Sequence, residues 1–335
     1  MIKFKINDYT LINVNSLQEK EVIDYGVRMV GAPLEWKETM GEGIKVGVID
    51  TGICETHPDL KGRIRDGINF TSESPSDISD YNGHGSHVSG LIAAEKNGFG
   101  VVGVAPKANL YIAKAFDKSG RTQYPAIENS IRWLMDKKVD IINMSFSSAF
   151  TSPRYSRMIS ALHSQGITII CAVGNEGDKG INNIGYPANF KETIAVSAVD
   201  INKNIADFSS KSSAAEISAA GINIYSTYLD DGYATLSGTS MATPIITGAA
   251  AILQAKGIMR YNRRLTPDEI RLLLNIYTED LSGLGRDDSY GYGLFSFGRI
   301  DGSDYVNEQI ERNIYKRKDA LSSKMIDLVV AMLMK

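Results

Sequence analysis

Length, composition and charge exclude several classes of protein. The chain has 335 residues, 43% hydrophobic and 22% charged, which is ordinary for a globular protein with enough chain to bury a core. A net charge of −3, from 36 Lys and Arg against 39 Asp and Glu, gives no reason to expect a nucleic-acid partner. No stretch reaches the roughly 18 consecutive apolar residues of a membrane span, and residues 1–9 hold no secretory apolar core. Cys54 and Cys171 are expected to be reduced thiols of a cytoplasmic protein, with a disulfide between them left open.

The predicted elements alternate between buried strands and helices. Residues 1–20 alternate only weakly and are expected to form an extension outside the main fold. Strands are predicted at 43–50, 110–115, 140–146, 167–174, 193–199, 216–220 and 233–238. Helices are predicted at 22–32, from 84 onward, and at 125–137, 153–165, 245–255 and 266–276. The last of these opens with a capping box at 266–269. This alternation predicts an α/β fold with a central, mostly parallel sheet covered by helices on both faces.

The most informative stretch is Gly238-Thr-Ser-Met-Ala-Thr-Pro244, which leads into a helix that is apolar or small on every side and therefore buried. Pro244 is expected in the first turn of that helix, where its missing N–H costs nothing. Ser240 then lies at a helix N-terminus, beside free backbone N–H groups and the positive end of the helix dipole. That position suits a nucleophile whose attack creates an oxyanion, although a lone Ser at a helix start is most often only an N-cap.

Three further polar residues are expected at the same edge of the sheet. Asp50 and Asn175 follow buried strands, and His84 lies where a helix begins after a Gly-rich turn. Ligands of open parallel sheets bind beyond the carboxyl ends of the strands. Asp, then His, then Ser is the chain order of one of the convergent serine-hydrolase arrangements.

Together with this order, a set of short motifs resembles the subtilisin-like serine proteases (subtilases of the S8 type). The motifs are Val48-Ile-Asp-Thr-Gly52, His57-Pro-Asp-Leu60, Asn82-Gly-His-Gly-Ser-His-Val-Ser-Gly90, Gly103-Val-Ala-Pro106, Asn143-Met-Ser145, Gly174-Asn-Glu-Gly177 and Gly238-Thr-Ser-Met-Ala-Thr-Pro244. They extend over most of the chain. The resemblance implies the three-layer α/β sandwich of that family and the hydrolysis of peptide bonds through an acyl-enzyme.

The resemblance assigns the roles in that reaction. Ser240 is the expected nucleophile, His84 the general base and then acid, and Asp50 the group that holds the imidazole tautomer. The Asn175 amide and the Ser240 backbone N–H are expected to bind the oxyanion. His57 and His87, the other histidines in these motifs, are expected to be structural.

A structural calcium ion is also implied by the resemblance. The expected ligands, all oxygen atoms, are the Asp59 carboxylate, the Asn97 side chain and the backbone carbonyls of Glu95, Phe99 and Val101. Glu21 could add a further ligand. The alternative is that residues 95–101 form a plain surface loop.

The substrate cleft follows from the same resemblance. A peptide substrate is expected to add as an extended strand between Gly120–Tyr124 and Ser145–Ser147, with Phe146 in the second segment. Gly174 and Gly185 are expected to wall the pocket for the side chain before the scissile bond, and Gly185 is expected to leave its floor open for a large side chain. The chain departs from the family at Ser147 and Ser148, where glycines are usual. These side chains are expected to narrow the cleft and tighten specificity.

The chain looks most like the intracellular subtilisins of Gram-positive bacteria, in which a short N-terminal extension lies across the cleft and inhibits the enzyme. We therefore expect residues 1–21 to be an extension, inhibitory or a disordered leader, residues 22–302 the catalytic domain and residues 303–335 a helical tail. The tail would pack on the body or on a second subunit of a homodimer.

The prediction is a cytoplasmic serine endopeptidase that acts on protein or peptide substrates. Two alternatives are a protease dedicated to removing the leader of a modified peptide, and an inactive protease that only binds peptides.

Overall fold

Strands and helices alternate along most of the chain. A computed structural model describes residues 3–7, 9–15, 20–71, 74–283 and 285–298. The strands are β1 (Lys3–Ile6), β2 (Thr10–Asn15), β3 (Lys45–Asp50), β4 (Ile64–Asn69), β5 (Asn109–Lys114), β6 (Arg121–Gln123), β7 (Ile141–Met144), β8 (Phe146–Ser147), β9 (Thr168–Ala172), β10 (Ile194–Val199), β11 (Ile217–Ala220), β12 (Ile224–Thr227), β13 (Tyr233–Ser237), β14 (Thr278–Glu279) and β15 (Leu294–Phe295). The α-helices are α1 (Tyr25–Met29), α2 (Ala32–Glu35), α3 (His84–Ala93), α4 (Tyr124–Lys137), α5 (Pro153–Ser164), α6 (Thr239–Tyr261) and α7 (Pro267–Ile276).

A nine-stranded sheet forms the centre of the fold, in the order β14-β15-β11-β10-β9-β7-β3-β5-β4. Its neighbouring strands are parallel except for the antiparallel edge pair β14 and β15. The predicted mostly parallel sheet is therefore confirmed. Strand β4 was not expected, and the single helix predicted over 22–32 is divided into α1 and α2.

Two hydrophobic cores lie on opposite faces of this sheet. Because side chains alternate along a strand, Ile170 of β9 packs into the core that contains α3 and α6. Its neighbours Ile169 and Cys171 pack into the core that contains α4 and α5. Helix, sheet and helix thus form three layers, as the sequence predicted.

Helix α6 crosses the first core and is buried along nearly its whole length. It begins at Thr239, so Pro244 lies in its second turn, and the expectation of a first-turn proline was wrong. A proline there lacks the N–H that would donate to the carbonyl four residues earlier, which belongs to Ser240. That carbonyl instead accepts a hydrogen bond from the Ser145 hydroxyl at 3.2 Å.

Residues 3–6 and 10–15 belong to two small antiparallel sheets rather than to the central one. Strand β1 is the middle strand of the sheet β6-β1-β8, and β2 is the edge strand of the sheet β12-β13-β2. The tail predicted at 303–335 lies outside the described residues. Within the part of the chain that the structure describes, no helix is both long and apolar enough to cross a membrane.

Candidate active site

Asp50 and His84 form a buried pair at the carboxyl edge of the sheet. Asp50 is the last residue of β3 and His84 the first of α3, and both side chains are fully buried. His84 Nδ1 lies 2.8 Å from Asp50 Oδ1, which also accepts a hydrogen bond from the Thr51 N–H at 2.8 Å. An aspartate in this position fixes the imidazole with its proton on Nδ1. The other nitrogen, Nε2, can then accept a proton, and it has no hydrogen-bond partner among the described residues.

Asp80 holds the start of α3 and was missed by the sequence analysis. Its Oδ1 accepts from the Thr51 hydroxyl and from the N–H groups of the two residues before His84, each at 2.9 Å. Its Oδ2 accepts from the N–H and hydroxyl of Ser86 at 2.9 and 2.7 Å. An Asp shortly before a Gly and a helix start is a capping signal that could have identified it. Asp80 therefore positions His84 without touching its ring.

Ser240 lies at the start of α6 with its side chain fully buried. Its Oγ donates to the carbonyl of Ser145 at 3.0 Å, while the Ser145 hydroxyl donates back to the Ser240 carbonyl at 3.2 Å. Since His84 Nε2 has no partner among the described residues, the Ser240 proton faces a carbonyl rather than the imidazole. A hydroxyl held in this way is not yet coupled to a base.

Asn175 is oriented by the residue before Ser240. Its Oδ1 accepts from the N–H of Thr239 at 3.0 Å and from the Thr239 hydroxyl at 2.8 Å. Its Nδ2 points toward Gly238, where an added Cβ would lie 3.1 Å from it. The amide donor therefore faces the N-terminus of α6, the place where a negative oxygen is best stabilised.

The other two histidines of the motifs make contacts to the backbone. His57 Nε2 lies 3.0 Å from the carbonyl of Gly232, and His57 Nδ1 accepts from the Asp59 N–H at 3.1 Å. His87 Nε2 lies 3.0 and 3.1 Å from the carbonyls of Ile224 and Ala234. Burial lowers the pKa of both rings, that of His87 to about 3. Each ring therefore acts as a neutral link between loops and strands.

The two segments predicted to bind substrate do face each other, and β1 of the same chain lies between them. Phe4 pairs with Thr122 of β6, and Ile6 pairs with Phe146 of β8, both antiparallel. The Ile6 N–H also donates to the Gly120 carbonyl at 2.8 Å. The extension thus occupies the cleft as an added strand, in the manner expected for a peptide substrate.

An aromatic pocket holds the side chain of Phe4, which is 2% exposed. Its ring meets those of Phe146 and Tyr155 edge to face, with centroids 5.7 and 5.4 Å apart. Tyr124, the first residue of α4, packs on Tyr155 at 5.6 Å. Phe146 and Tyr124 were predicted to line the cleft, whereas Tyr155 and the ligand-like Phe4 were not, because nothing local to residues 3–6 marks their distant partners.

Beyond β1, the extension passes the buried pair itself. The Ser147 hydroxyl donates to Asn7 Oδ1 at 2.6 Å, and Asn7 is fully buried. Tyr9 lies against His84 with ring centroids 5.3 Å apart, and its hydroxyl donates to Asn82 Oδ1 at 3.2 Å. Burial raises the pKa of Tyr9, so its phenol stays neutral. The extension therefore covers both the imidazole and the approach to Ser240.

Gly185 lies close to Ser147 and Ser148. An added Cβ on Gly185 would lie 2.9 Å from the Ser148 carbonyl oxygen and 3.3 Å from Ser147 Cβ, so a larger residue would be crowded there, and the open pocket floor at Gly185 stays a prediction. Glycine is favoured there because the backbones of Ser148 and Tyr186 pair antiparallel directly beside it. Gly174 adopts a φ of 109° directly before Asn175, a conformation that favours glycine.

The residues predicted to bind calcium also converge. Asp59 is fully buried, and its carboxylate accepts from Asn97 Nδ2, the Val101 N–H and the Tyr233 hydroxyl, each at 2.9 Å. Glu21 reaches the same loop, where its carboxylate accepts from the Gly98 N–H at 2.9 Å. The Glu95 side chain turns away to Arg63 at 2.7 Å, and the Phe99 N–H donates to Asn97 Oδ1 at 3.2 Å. No cluster of three or more His, Cys, Asp or Glu side chains suited to a metal occurs in the described ranges.

Sequence comparisons agree on one family. The subtilase family model matches residues 41–293. An intracellular serine protease of Paenibacillus polymyxa is 42% identical over 260 residues, which cover 76% of this chain and 80% of that protein. Subtilisin DY of Bacillus licheniformis is 39% identical over 278 residues, covering 82% of this chain and 97% of its own. The major intracellular serine protease of Bacillus subtilis is 38% identical over 272 residues, covering 79% and 83%. None of these names points to a leader-processing protease or to an inactive peptide-binding protein.

Proposed function

This chain belongs to the subtilase family and is a serine endopeptidase, and we propose that the side chains gathered at the start of α6 carry out its reaction. The observation that supports this most is the fully buried contact of 2.8 Å between Asp50 and His84. Ser240 Oγ attacks the peptide carbonyl carbon and passes its proton to His84 Nε2. The imidazolium then gives that proton to the leaving amine, and water hydrolyses the acyl-enzyme by the same steps.

Asp50 and Asn175 stabilise the charges that this reaction develops. Asp50 keeps the proton of the neutral ring on Nδ1 and stabilises the imidazolium. The Asn175 amide and the Ser240 backbone N–H donate to the oxyanion. The Asn175 amide is oriented in advance because its Oδ1 accepts from the N–H and the hydroxyl of Thr239.

We further propose that the full-length chain is latent, with residues 3–15 as its inhibitor. Strand β1 fills the cleft, and Tyr9 covers His84. In this arrangement the Ser240 proton is bonded to the Ser145 carbonyl, so attack requires both displacement of the extension and rotation of the hydroxyl toward His84. Removal or release of the extension would start the enzyme.

Labelling with a fluorophosphonate, followed by intact-mass spectrometry, tests both proposals. We expect slow labelling of the full-length chain, fast labelling of a chain without residues 1–20, and no adduct on Ser240→Ala. Equal rates with and without the extension would contradict the inhibition but not the triad. No adduct on any form would contradict the proposed catalytic role of Ser240.

A structural calcium ion is the second element of the proposal. The donor set fits it, because the buried Asp59 carboxylate receives only uncharged donors, and further oxygen atoms lie on the same loop. Asp59 and Glu21 would hold the ion together with the Asn97 amide oxygen and the carbonyls of Glu95, Phe99 and Val101. Asn97 would first turn over its carboxamide, since Nδ2 now faces Asp59.

Calcium binding is measured by thermal unfolding of Ser240→Ala, which cannot digest itself. We expect calcium to raise Tm and a chelator to lower it, with both effects lost in Asp59→Asn. Free calcium at about 100 times its Kd would raise the free energy of unfolding by about 2.7 kcal/mol. If calcium leaves the Tm of Ser240→Ala unchanged while Asp59 is present, the proposed calcium site is contradicted.

We also propose that the protein works inside the cell. Two relatives are named intracellular proteases, and both cysteines are free thiols, with burial raising the pKa of Cys171. The homodimer predicted from residues 303–335 remains a proposal, and light scattering of the full chain after size-exclusion chromatography tests it. A monomer mass at micromolar concentration would contradict it.

A further inference from the structure

Asn7 interrupts the alternation of buried and exposed side chains in the extension. Lys3 and Lys5 are exposed, whereas Phe4 and Ile6 are buried, as expected for a strand with one face against the cleft. The next residue of this pattern would be exposed, yet Asn7 is fully buried. Burying an amide is costly unless the protein supplies a hydrogen-bond partner. The cleft therefore receives this side chain with a polar group of its own.

The register of the extension places Asn7 next to the nucleophile. Strand β1 pairs with β8 so that Lys5 lies beside Ser147. Because this pairing is antiparallel, the residue two positions further along β1, Asn7, comes opposite Ser145. The Ser145 carbonyl is the group that accepts the hydrogen bond of the Ser240 hydroxyl, at 3.0 Å. Asn7 thus takes the place of the residue that precedes the scissile bond in a bound substrate.

The Ser147 hydroxyl is the polar group that receives the Asn7 amide. It donates to Asn7 Oδ1 at 2.6 Å, and diagonal neighbours on one face of an antiparallel pair lie within such reach. Ser147 is itself buried, and its Cβ lies 3.3 Å from where a Cβ on Gly185, the predicted pocket wall, would stand. Asn7 Nδ2 has no hydrogen-bond partner among the described residues, so recognition depends on the amide oxygen.

Other side chains fit this place less well than an asparagine. Leu has a similar shape but no acceptor, so it would leave the buried Ser147 hydroxyl without the partner it has in Asn7. Asp would bury a charge against an uncharged hydroxyl. In addition, Glu176 Oε2 lies 2.6 Å from where a Cβ on Gly174, the other predicted pocket wall, would stand. A second carboxylate near this one would be repelled.

We propose that Ser147 is a specificity-determining residue, whose hydroxyl selects an asparagine immediately before the scissile bond. The substrates are polypeptides cut after Asn, with that side chain held as Asn7 is held. The tighter specificity expected from a serine at this position thereby acquires a chemical target, the oxygen of a carboxamide. The inference rests on the proposed function, because Ser240 must cut the bond that follows the selected residue.

Quenched fluorescent peptides test this preference. All copy Lys3–Ile6, continue with Asn, Asp, Leu or Phe, and end in one common sequence. They are assayed with full-length Phe4→Ala, in which the extension is held less tightly, and with the same chain carrying Ser147→Ala. Ser148→Ala in that chain is the matched control, because its hydroxyl is engaged by the Phe150 N–H at 3.2 Å. Mass spectrometry of the products identifies the bond that is cut.

We expect kcat/KM of the Phe4→Ala chain to be about tenfold higher for the Asn peptide than for the others, with the cut directly after Asn. Ser147→Ala should bring the ratio of Asn to Leu to within about twofold of one, and Ser148→Ala should keep it high. These ratios compare peptides on one enzyme, so they do not depend on the fraction of open chains. A ratio near one before the substitution, or a ratio that survives Ser147→Ala, would overturn the inference.

Failure of the proposed function would look different. If no peptide is cut and no fluorophosphonate adduct forms, the catalytic role of Ser240 is contradicted, and the inference with it. If all peptides are cut without preference, or if the adduct forms while no peptide is cut, Ser240 remains the nucleophile and only the role of Ser147 is overturned.

Discussion

Phe4→Ala measures how strongly the extension is held in the cleft. Phe4 is 2% exposed and meets the rings of Phe146 and Tyr155 edge to face. Truncating a buried Phe to Ala costs about 3–5 kcal/mol in a protein core. This cost falls only on the closed state, in which the extension lies in the cleft. In the open state the extension has left the cleft and the Phe4 ring is in water. A shift of about 3 kcal/mol changes the ratio of closed to open chains by about 150-fold.

Fluorophosphonate labelling of the full-length chain reports this ratio, since only open chains react. We expect the rate of Phe4→Ala to rise by at least about tenfold, up to the plateau reached by a chain without residues 1–20. Phe150→Ala is the matched control, because Phe150 is 71% exposed and should leave the rate unchanged. A Phe4→Ala rate equal to that of wild type, with the truncated chain labelling fast, would refute the reasoning that the aromatic pocket holds the inhibitor.

Three further predictions concern the site and its support. Asn175→Ala should lower kcat by about 10²–10³ while KM changes little, because it removes an oxyanion donor; an unchanged kcat in steady-state assays would exclude that role. Burial lowers the pKa of His87 from 6.5 to about 3, so folding favours the neutral ring. This contribution to the free energy of unfolding is fully present above pH 6.5. It should be lost as the pH falls toward 3, with about 2 kcal/mol lost at pH 5. Urea unfolding of Ser240→Ala at several pH values should show this loss, and a Ser240→Ala chain that also carries His87→Asn should show a smaller one. An equal loss in the two chains would contradict the role of His87. Asp80→Ala, made in the Ser240→Ala chain, should lower the free energy of unfolding by about 3 kcal/mol or more, because buried N–H groups lose their acceptor. A decrease below about 1 kcal/mol would contradict the capping role of Asp80.

Local chemistry made much of the fold and site predictable. Buried strands that end in Asp50 or precede Asn175 have patterns readable within a few residues. The capping box at Thr266 and Glu269 is present as predicted, because both of its hydrogen bonds lie within one helical turn. The alternation of such elements was sufficient to predict the layered α/β fold.

Contacts between distant segments could not be predicted in the same way. Lys3–Ile6 could pair with any strand edge, and its register against residues 121–123 and 146–147 depends on where the whole fold places those edges. A local capping signal marks Asp80, but its hydrogen bond with Thr51 joins segments far apart in the chain and depends on the fold. Pro244 is tolerated in the second turn of α6 because Ser145, which lies between β7 and β8, donates its hydroxyl to the Ser240 carbonyl in place of the missing N–H. The sequence by itself determined the elements and the chemical groups at their ends, whereas the tertiary structure decided what lies in the cleft, because strand pairing joins residues that no local pattern relates.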